Sequence, residues 1–302
     1  MKKFINGKMI NLAEPRLGSK VIFKTDDFFA SANRIISPNP PIFKKGVFDK
    51  HGKWMDGWET RRRRKKGFDY VIVKLGRPGK IFNADIDTTH FSGNQPMQAS
   101  LEACHSKKNP NNKSRWITIL SKKKLGPNKN HNFKIKNKSI FTHIKLNIYP
   151  DGGVARLRVY GEIEMKKVNF GNKIINLSSM LNGSSIVGCN NEHFGRAENI
   201  LAPGKGKDMG DGWETRRSRG KNFDWLIIKL GRTGTINKIE IDTHHFKGNY
   251  PDRCTVQATY IPKKISNYSI VKKSNKWKSL LNKVKLNANK KHSFNNKIMK
   301  KK

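Results

Sequence analysis

The chain has 302 residues, enough for two domains that each bury a core, and 35% of its residues are hydrophobic. Its formal net charge of +41 is extreme, and its three cysteines show no CxxC spacing, which indicates neither a disulfide framework nor a zinc site. The basic start has no apolar stretch long enough for a signal peptide, and no later segment approaches a membrane span. We therefore expect a soluble, cytoplasmic protein with no membrane partner.

In chain order, the first predicted elements belong to a stretch that occurs twice. Residues 56–96 and 211–251 are identical at 26 of 41 positions, at a constant offset of 155. After Asp-Gly-Trp-Glu-Thr-Arg-Arg, an apolar run predicts a strand, and Gly-Arg-X-Gly predicts a tight turn that ends it. A second, alternating run predicts a half-buried strand, and the His-Phe-X-Gly-Asn-X-Pro that follows predicts a loop. Both copies therefore present Asp, Thr and His at a strand end.

Short strands separated by turns are also predicted in the rest of the chain. Alternating runs occur at QASLEA and CTVQATYI, and a tryptophan begins a corresponding later segment in each half. No sustained amphipathic helix pattern is present. This arrangement predicts an all-β fold of two tandem β-sandwich repeats, residues 1–165 and 166–302.

One segment of the first half has no counterpart in the second. FTHIKLNIYPDGGVARLRVYG predicts two strands flanking a Pro-Asp-Gly-Gly turn, whereas the second half ends in a Lys-rich tail. Loss of terminal strands exposes sheet edges. We therefore expect the second repeat to be truncated, with a natural truncation and a frameshift as the two explanations, and this puts any activity in doubt.

The positive charge is of two kinds. Lys is scattered with Asn and Ile through almost every loop, as an A/T-rich coding sequence produces without selection for a ligand. Seven of the 16 arginines, by contrast, form two clusters within the duplicated stretch, at positions 61–64 and at 216, 217 and 219. Although a charge of +41 by itself suggests a polyanion, we interpret most of it as compositional and expect no nucleic-acid partner.

The longest motifs also resemble those of a known family. DGWETRR, FDWLIIKLG, IDTHHFKGNYP and LNIYPDGGVARLRVYG are similar to motifs of the allantoicase (allantoate amidinohydrolase) family, and the resemblance extends from about Asn11 to Phe294. It implies two jelly-roll β-sandwich repeats of the galactose-binding type. It also implies a hydrolase that converts allantoate to ureidoglycolate and urea in purine (allantoin) degradation.

The partners and the alternative function follow from the same resemblance. A small molecule, allantoate, is the expected partner, and a homo-oligomer stays open. The alternative is a non-catalytic ligand-binding β-sandwich protein derived from a truncated allantoicase.

Acid–base and anchoring residues are expected in both copies. Hydrolysis requires a proton for the departing urea, an activated water and a hold on the substrate carboxylate. Glu59 and Glu214 lie between Trp and Thr, where shielding raises a carboxyl pKa and suits an acid or base; the alternative is a structural ion pair with Arg. Arg61 and Arg216 have the planar fork that binds a carboxylate and are expected to anchor the substrate.

A second pair of candidates is Asp-X-X-His, formed by Asp87 and His90 and by Asp242 and His245. A carboxylate beside an imidazole fixes its tautomer and suits proton transfer. With His244 the second copy has three donors that could ligate a divalent metal, but adjacent residues of a strand point to opposite faces. We therefore assign no metal ligands and no required cofactor, and leave a divalent metal open.

Asn94 and Asn249 complete the candidate set. In Gly-Asn-X-Pro they fit a turn, and their amides also suit binding of ureido groups. Because the chemistry-bearing residues occur in both repeats, the sequence leaves open one site per domain or one site shared between them.

Overall fold

The computed structural model describes residues 4–111, 113–165, 173–218, 220 and 222–295. Contacts divide the chain into a first unit, Met9–Phe170, and a second unit, Gly171–Lys302 together with Met1–Lys8. The start of the chain joins the second unit through strand β1, Ile5–Asn6. The division into domains at 165 and 166 stays a prediction. No helix in the described ranges is long and apolar enough to cross a membrane.

The first unit is built from β-strands and short 3-10 turns. Two 3-10 helices are described in it, Pro15–Leu17 and Ala32–Ile36. Its strands, in chain order, are β2 (Ile10–Asn11), β3 (Lys20–Lys24), β4 (Phe48–Asp49), β5 (Gly52–Lys53), β6 (Trp58–Glu59), β7 (Asp69–Asp87), β8 (Gln98–Cys104), β9 (Ile117–Lys124), β10 (Asn130–Lys134), β11 (Ile140–Tyr149), β12 (Gly153–Val154) and β13 (Arg156–Ile163).

Strand β7 is the centre of this unit. Its first half pairs with β3 and β11, and its second half pairs with β10 and β13. Strands β8 and β9 extend the sheet from β11, and β2 extends it from β13. Apolar side chains from both halves, among them Val73 and Ile86, are fully buried with Leu146 of β11 and Leu157 of β13. One strand therefore connects the strand pairs of a single eight-stranded sheet and contributes to one core.

The turn predicted at Gly-Arg-X-Gly is wrong for the first unit. Strand β7 continues through Gly76–Gly79 and is 19 residues long. The neighbouring strands explain this, since β11 pairs with β7 on both sides of this segment, at Lys74 and at Gly79. Tertiary pairing has overridden a local turn signal, and a shift in the β11 register accommodates it.

The second half of β7 is also more buried than its alternating pattern predicts. Asp85 is 3% exposed and Asp87 is 5% exposed. Two arginines of the adjacent strand lie opposite them, with Arg158 beside Asp85 and Arg156 beside Asp87 in the register. Residues 84–87 are therefore buried on both faces of the strand, and the prediction of a half-buried strand is corrected for this segment.

The second unit repeats parts of this plan. It has one described α-helix, α1 (Asn267–Lys273), and 3-10 helices at Met180–Asn182, Ala197–Leu201, Met209–Asp211 and Ser274–Lys276. Its further strands are β14 (Ser185–Cys189), β15 (Leu226–Lys229), β16 (Lys238–Asp242), β17 (Arg253–Ala258), β18 (Lys278–Lys285) and β19 (Lys291–Asn295).

Strand pairing in the second unit is divided among separate sheets. Strand β14 lies between β1 and β15, while β16 pairs with β19 and β17 pairs with β18. Up to residue 295, the described residues form no counterpart of β11 or β13. Here β15 ends at Lys229, and the chain bends at Gly231 and Arg232 of Gly-Arg-X-Gly. Alternate residues of β16 and β17 are exposed. The smaller core gathers around Leu281, Leu286 and Phe294.

One buried histidine makes the first unit sensitive to acid. His143 on β11 is 1% exposed; its Nδ1 lies 2.8 Å from the Thr142 hydroxyl, and its Nε2 is buried without a hydrogen-bond partner. Burial, reinforced by the charges of Lys74 and His105, lowers the pKa of His143 from 6.5 to about 4. The ring is therefore neutral in the folded protein at neutral pH.

We predict that the stability of the first unit falls as pH decreases from above 6.5 towards 4. The unfolded chain binds a proton on His143 in this window while the folded chain does not, so unfolding is favoured by up to about 3 kcal/mol. Thermal unfolding between these pH values measures it: His143→Leu should show a smaller drop in Tm than the parent, and His193→Gln, at an exposed position, should show the parent drop. Equal acid sensitivity of the parent and His143→Leu would contradict the prediction.

Candidate active site in the first unit

The short strand β6 places Glu59 at the centre of the candidate site. Its neighbour Trp58 is fully buried, and the indole Nε1 donates to the carbonyl of Asp26 at 2.7 Å. The backbone of Glu59 exchanges hydrogen bonds with Ala30 and pairs with Gly153 of β12. Because Trp58 fills the core, the alternation of the strand turns the Glu59 side chain away from it.

The Glu59 carboxyl is half-buried and has one amide partner. Asn94 Nδ2 donates to Glu59 Oε1 at 2.7 Å. Burial raises the pKa of Glu59, and the hydrogen bond from Asn94 opposes that rise. A carboxyl with a raised pKa can carry a proton at a pH where an ordinary carboxyl has lost it, which is the property required of a general acid or base.

Phe91 joins the segments of Glu59 and His90. It is fully buried in a small cluster with Ala30, Met55 and Ala155. A Cβ atom on Gly153 would meet the Phe91 ring at 2.0 Å, and one on Gly57 would meet it at 2.8 Å. Glycine at both positions therefore allows the hairpin turn and the start of β6 to close on the residue that follows His90.

Asp87 does not contact the ring of His90, contrary to the predicted Asp–His pair. Asp87 Oδ1 accepts a hydrogen bond from the Thr89 amide at 2.9 Å, and Oδ2 lies 4.0 Å from Arg158 Nη1. The three-residue spacing produces a turn that the aspartate closes, so the carboxylate faces the backbone and β13 instead of the imidazole.

His90 is held in an unusual conformation. Its backbone φ of 70° is in the left-handed region, which residues other than glycine rarely adopt. The amide donates to Asn128 Oδ1 at 2.9 Å, and ring Nε2 lies 3.3 Å from the carbonyl oxygen of Pro41. Because a carbonyl can only accept, this contact assigns the hydrogen to Nε2 and leaves Nδ1 as the basic nitrogen of the neutral ring.

Arg61 lies at the edge of this group and already has a carboxylate partner. Its side chain is 65% exposed, and Nη2 lies 3.2 Å from Asp26 Oδ1. Nε and the backbone amide also donate to Asp26 Oδ2. A substrate carboxylate would have to replace Asp26 on this fork, so anchoring by Arg61 stays a prediction.

The second unit repeats the main hydrogen bonds of the site, but its asparagine is more exposed to solvent. Asn249 Nδ2 donates to Glu214 Oε1 at 2.6 Å. His245 has the same φ of 70°, its amide donates to Asn289 Oδ1, and its Nε2 lies 2.9 Å from the Gly206 carbonyl. Asn249 is exposed, whereas Asn94 is half-buried. The local sequence therefore reproduces the local geometry, while the burial depends on the surrounding strands.

The remaining candidates of the second unit are Asp242 and Arg216, and both make hydrogen bonds that involve a backbone amide. Asp242 Oδ1 accepts from the His244 amide at 2.9 Å, and the rings of His244 and His245 meet edge to face at 4.2 Å. The exposed Arg216 donates its amide to Asn191 Oδ1, and Arg219 lies outside the described residues. Within the described ranges, no three His, Cys, Asp or Glu side chains are grouped as a metal site requires.

Three charged residues near this site were missed by the sequence reasoning. Asp56 begins the duplicated block, and Arg156 and Arg158 lie in the ARLR segment of β13. Asp56 could have been identified from the sequence, because it is identical to Asp211 in the other copy. The sequence gives less indication for the two arginines, since their burial follows from their register opposite Asp85 and Asp87.

Comparison with known proteins gives the family. A family model of the allantoicase repeat matches residues 10–164 and 175–302. The chain belongs to the allantoicase family. A probable allantoicase of Burkholderia mallei is 47% identical over 289 residues, covering 95% of this chain and 86% of the relative. A probable allantoicase of Pseudomonas fluorescens is 48% identical, covering 95% and 87%.

Solved allantoicase structures support the same conclusion. The crystal structure of allantoicase from Saccharomyces cerevisiae aligns with a TM-score of 0.79 and 36% identity, covering 96% of this chain and 85% of the yeast chain. A further allantoicase structure aligns with a TM-score of 0.81. The predicted fold class, two tandem β-sandwich repeats, is confirmed. The doubt about activity is not borne out, because the allantoicase matches span 95% of this chain and most of each relative.

We predict that Glu59→Gln raises the Tm, and that the gain increases with pH. The pKa of Glu59 is raised in the folded state, so the parent loses stability as pH rises above the ordinary carboxyl value, and the neutral amide escapes that loss. Unfolding scans at about pH 5 and about pH 8 measure the difference, a span that brackets titration of a raised carboxyl.

Glu240→Gln is the control for this measurement. Hydrogen bonds from Lys238 and Lys291 lower the pKa of the exposed Glu240, so its replacement should bring no gain in Tm at either pH. A gain for Glu59→Gln that is the same at both pH values would show that ionisation of Glu59 is not its cause.

Proposed function

We propose that this chain hydrolyses allantoate to ureidoglycolate and urea at the site of the first unit, with Glu59 and His90 as its proton-transfer groups. Membership of the allantoicase family supports the reaction. The observation that carries the choice of site is the half-buried Glu59 carboxyl, whose pKa is raised by burial and which is held by Asn94.

The reaction sets a simple proton balance. The bond between the central carbon of allantoate and one ureido nitrogen breaks, and a bond from that carbon to water oxygen forms. Water loses a proton, and the departing nitrogen gains one. The site therefore needs one group that holds a proton before the reaction and one that can accept a proton.

Glu59 suits the role of the acid. Its raised pKa favours the protonated carboxyl, which can donate to the departing ureido nitrogen. Asn94 holds one carboxyl oxygen by its amide nitrogen, which leaves the other oxygen for the proton and fixes the plane of the group. The amide oxygen of Asn94 can in turn accept from a ureido N–H.

His90 suits the role of the base. With Nε2–H directed to the Pro41 carbonyl, Nδ1 carries the lone pair that can take a proton from water. The left-handed backbone of His90 supports a functional role, since such a conformation has an energetic cost and recurs at His245. Asp87 supports the same turn by accepting from the Thr89 amide.

We place the active site in the first unit because its site residues are less exposed to solvent than their counterparts in the second unit. Strand β12 and the Pro-Asp-Gly-Gly turn pack beside Glu59 through Gly153, and Arg158 compensates the charge of buried Asp87. In the second unit, Asp242 and Asn249 are exposed to solvent. Electrostatic interactions act more strongly in the less solvated site. Glu214, His245, Asp242, Asn249 and Arg216 then form a structural copy of the site.

The other expectations from the sequence concern an alternative function, substrate anchoring, location, partners and a metal. A non-catalytic ligand-binding function is not favoured by the extensive identity with allantoicases. Five further expectations stay predictions: anchoring of the substrate carboxylate by Arg61, a cytoplasmic location, the absence of a nucleic-acid partner, a homo-oligomer and a bound divalent metal.

We predict that purified protein releases urea from allantoate, and that Glu59→Gln and His90→Ala each lower kcat by about 100-fold or more, as loss of a general acid or base does. The matched changes Glu214→Gln and His245→Ala should leave kcat within about threefold of the parent. A coupled urea assay at saturating allantoate measures all four variants.

Two outcomes contradict this assignment separately. If the parent protein releases no urea, the proposed reaction is wrong for this chain. If urea is released but the second-unit variants lose activity while the first-unit variants keep it, the reaction stands and the choice of site is wrong.

We predict that Asn94→Ala moves the Glu59-dependent limb of the pH–rate profile to higher pH. The Asn94 hydrogen bond lowers the Glu59 pKa, so its removal should leave the effect of burial less opposed. The profile of kcat/KM against pH reports this shift for the free enzyme. Asn249→Ala is the matched control and should leave the profile unchanged; a shift of the limb to lower pH in Asn94→Ala would refute the role of this bond.

A further inference from the structure

Arg156 is an almost fully buried arginine that the proton-transfer scheme does not use. It is 1% exposed at the start of β13. Its Nε donates to the Asn39 carbonyl at 3.0 Å, Nη2 donates to the Pro40 carbonyl at 3.4 Å, and Nη1 donates to the Asp56 carbonyl at 2.8 Å. The guanidinium therefore ties the loop around residues 39–40 to β13 and to the start of the duplicated block.

Asp56 binds both Arg156 and the loop that Arg156 holds. Its Oδ2 accepts from Arg156 Nη2 at 2.7 Å and also from the backbone amide of Ile42 at 2.9 Å. The ion pair is well shielded, with exposures of 1% for the Arg156 side chain and 13% for the Asp56 side chain. Removing either partner of such a pair destabilises the folded protein, because the other charge is left buried without a counter-charge.

These contacts hold the backbone on both sides of Pro41. The carbonyl before it is bonded by Arg156, and the amide after it is bonded by Asp56. Between them, the Pro41 carbonyl faces His90 Nε2 at 3.3 Å. Proline also fixes its own φ, so the direction of this carbonyl is determined by the two charged side chains and the ring.

Part of this arrangement recurs in the second unit. Asp211, the counterpart of Asp56, accepts from the Lys207 amide at 2.9 Å through Oδ2, and the Gly206 carbonyl before it faces His245 Nε2 at 2.9 Å. The order of carbonyl, amide and aspartate is thus the same in both copies. An arginine that holds the preceding carbonyl is described only in the first unit, where β13 provides it.

We infer that Asp56 and Arg156 are positioning residues, which aim the Pro41 carbonyl at His90 and so fix the imidazole as the tautomer with hydrogen on Nε2. This inference rests on the proposed function for the role of Nδ1 as base. In many histidine sites, the hydrogen bond made by one ring nitrogen determines which of the two nitrogens carries the proton. Here the selecting group is a backbone carbonyl, and a buried ion pair sets its position.

The protonation of the two His90 ring nitrogens can be measured by 15N NMR at about pH 8, where an ordinary imidazole is neutral. His90→Gln identifies the His90 signals by difference. The parent should show Nε2 protonated and Nδ1 free, whereas Arg156→Lys, which keeps the charge but cannot reach three carbonyls, should show both tautomers. Asp56→Asn, which keeps an acceptor, is the milder variant if Arg156→Lys does not fold. Lys145→Met, which breaks the half-buried ion pair with Glu102, controls for general destabilisation.

Kinetics provides the second readout. Arg156→Lys should lower kcat by about 10- to 100-fold with a small change in KM, as misplacement of a catalytic group does, and should cause no further loss in a His90→Ala background. Lys145→Met should leave both kcat and the tautomer unchanged.

A single parent-like tautomer in folded Arg156→Lys or Asp56→Asn would overturn the inference, as would a loss of activity that adds to that of His90→Ala. If His90→Ala were fully active, the proposed base would be wrong, while the NMR spectra would still decide the positioning role.

Discussion

The structure of the first unit depends on the pairing of strands β11 and β13 with β7. These two strands keep β7 continuous across Gly76–Gly79, bury its second half and bring the Gly152–Gly153 turn beside Glu59. The core and the candidate site therefore share one cause. In the described part of the second unit, where no strands occupy these positions, the same sequence motif forms short, partly exposed strands.

Charge burial is the second consequence of that closure. Covering the end of β7 places Asp85 and Asp87 in a region from which water is largely excluded, and β13 supplies Arg156 and Arg158 beside them. Removing charges from water has a large cost unless they are paired and hydrogen-bonded. Glu59 responds differently: burial raises its pKa, and the hydrogen bond from Asn94 only partly opposes that rise. The same burial thus produces structural ion pairs at some carboxylates and acid–base character at another.

The duplicated block provides a comparison within one chain. Both copies form the Glu–Asn hydrogen bond, the left-handed histidine and the contact from histidine Nε2 to a loop carbonyl. These features depend on contacts between segments of the block and the loop before it, so similar sequence gives similar geometry. Burial of Asp87 and bracing by arginine occur where β12 and β13 are present, whereas the matching Asp242 is exposed. The motif therefore sets the local geometry of the site, and the strands around it decide its electrostatics.

The sequence by itself determined the all-β class, the two repeats, the family and the residue types of the site, because strand alternation, turn residues and the repeated motif are local patterns. It paired Asp87 with the wrong group, since a three-residue spacing does not show whether a carboxylate turns to a ring or to a backbone amide. It ended β7 too early, since a turn signal carries no information about strands that pair across it. The roles of Asp56 and Arg156, which are 100 residues apart, were decided only by the tertiary structure, because burial and ion pairing at that separation depend on the register of β13 with β7.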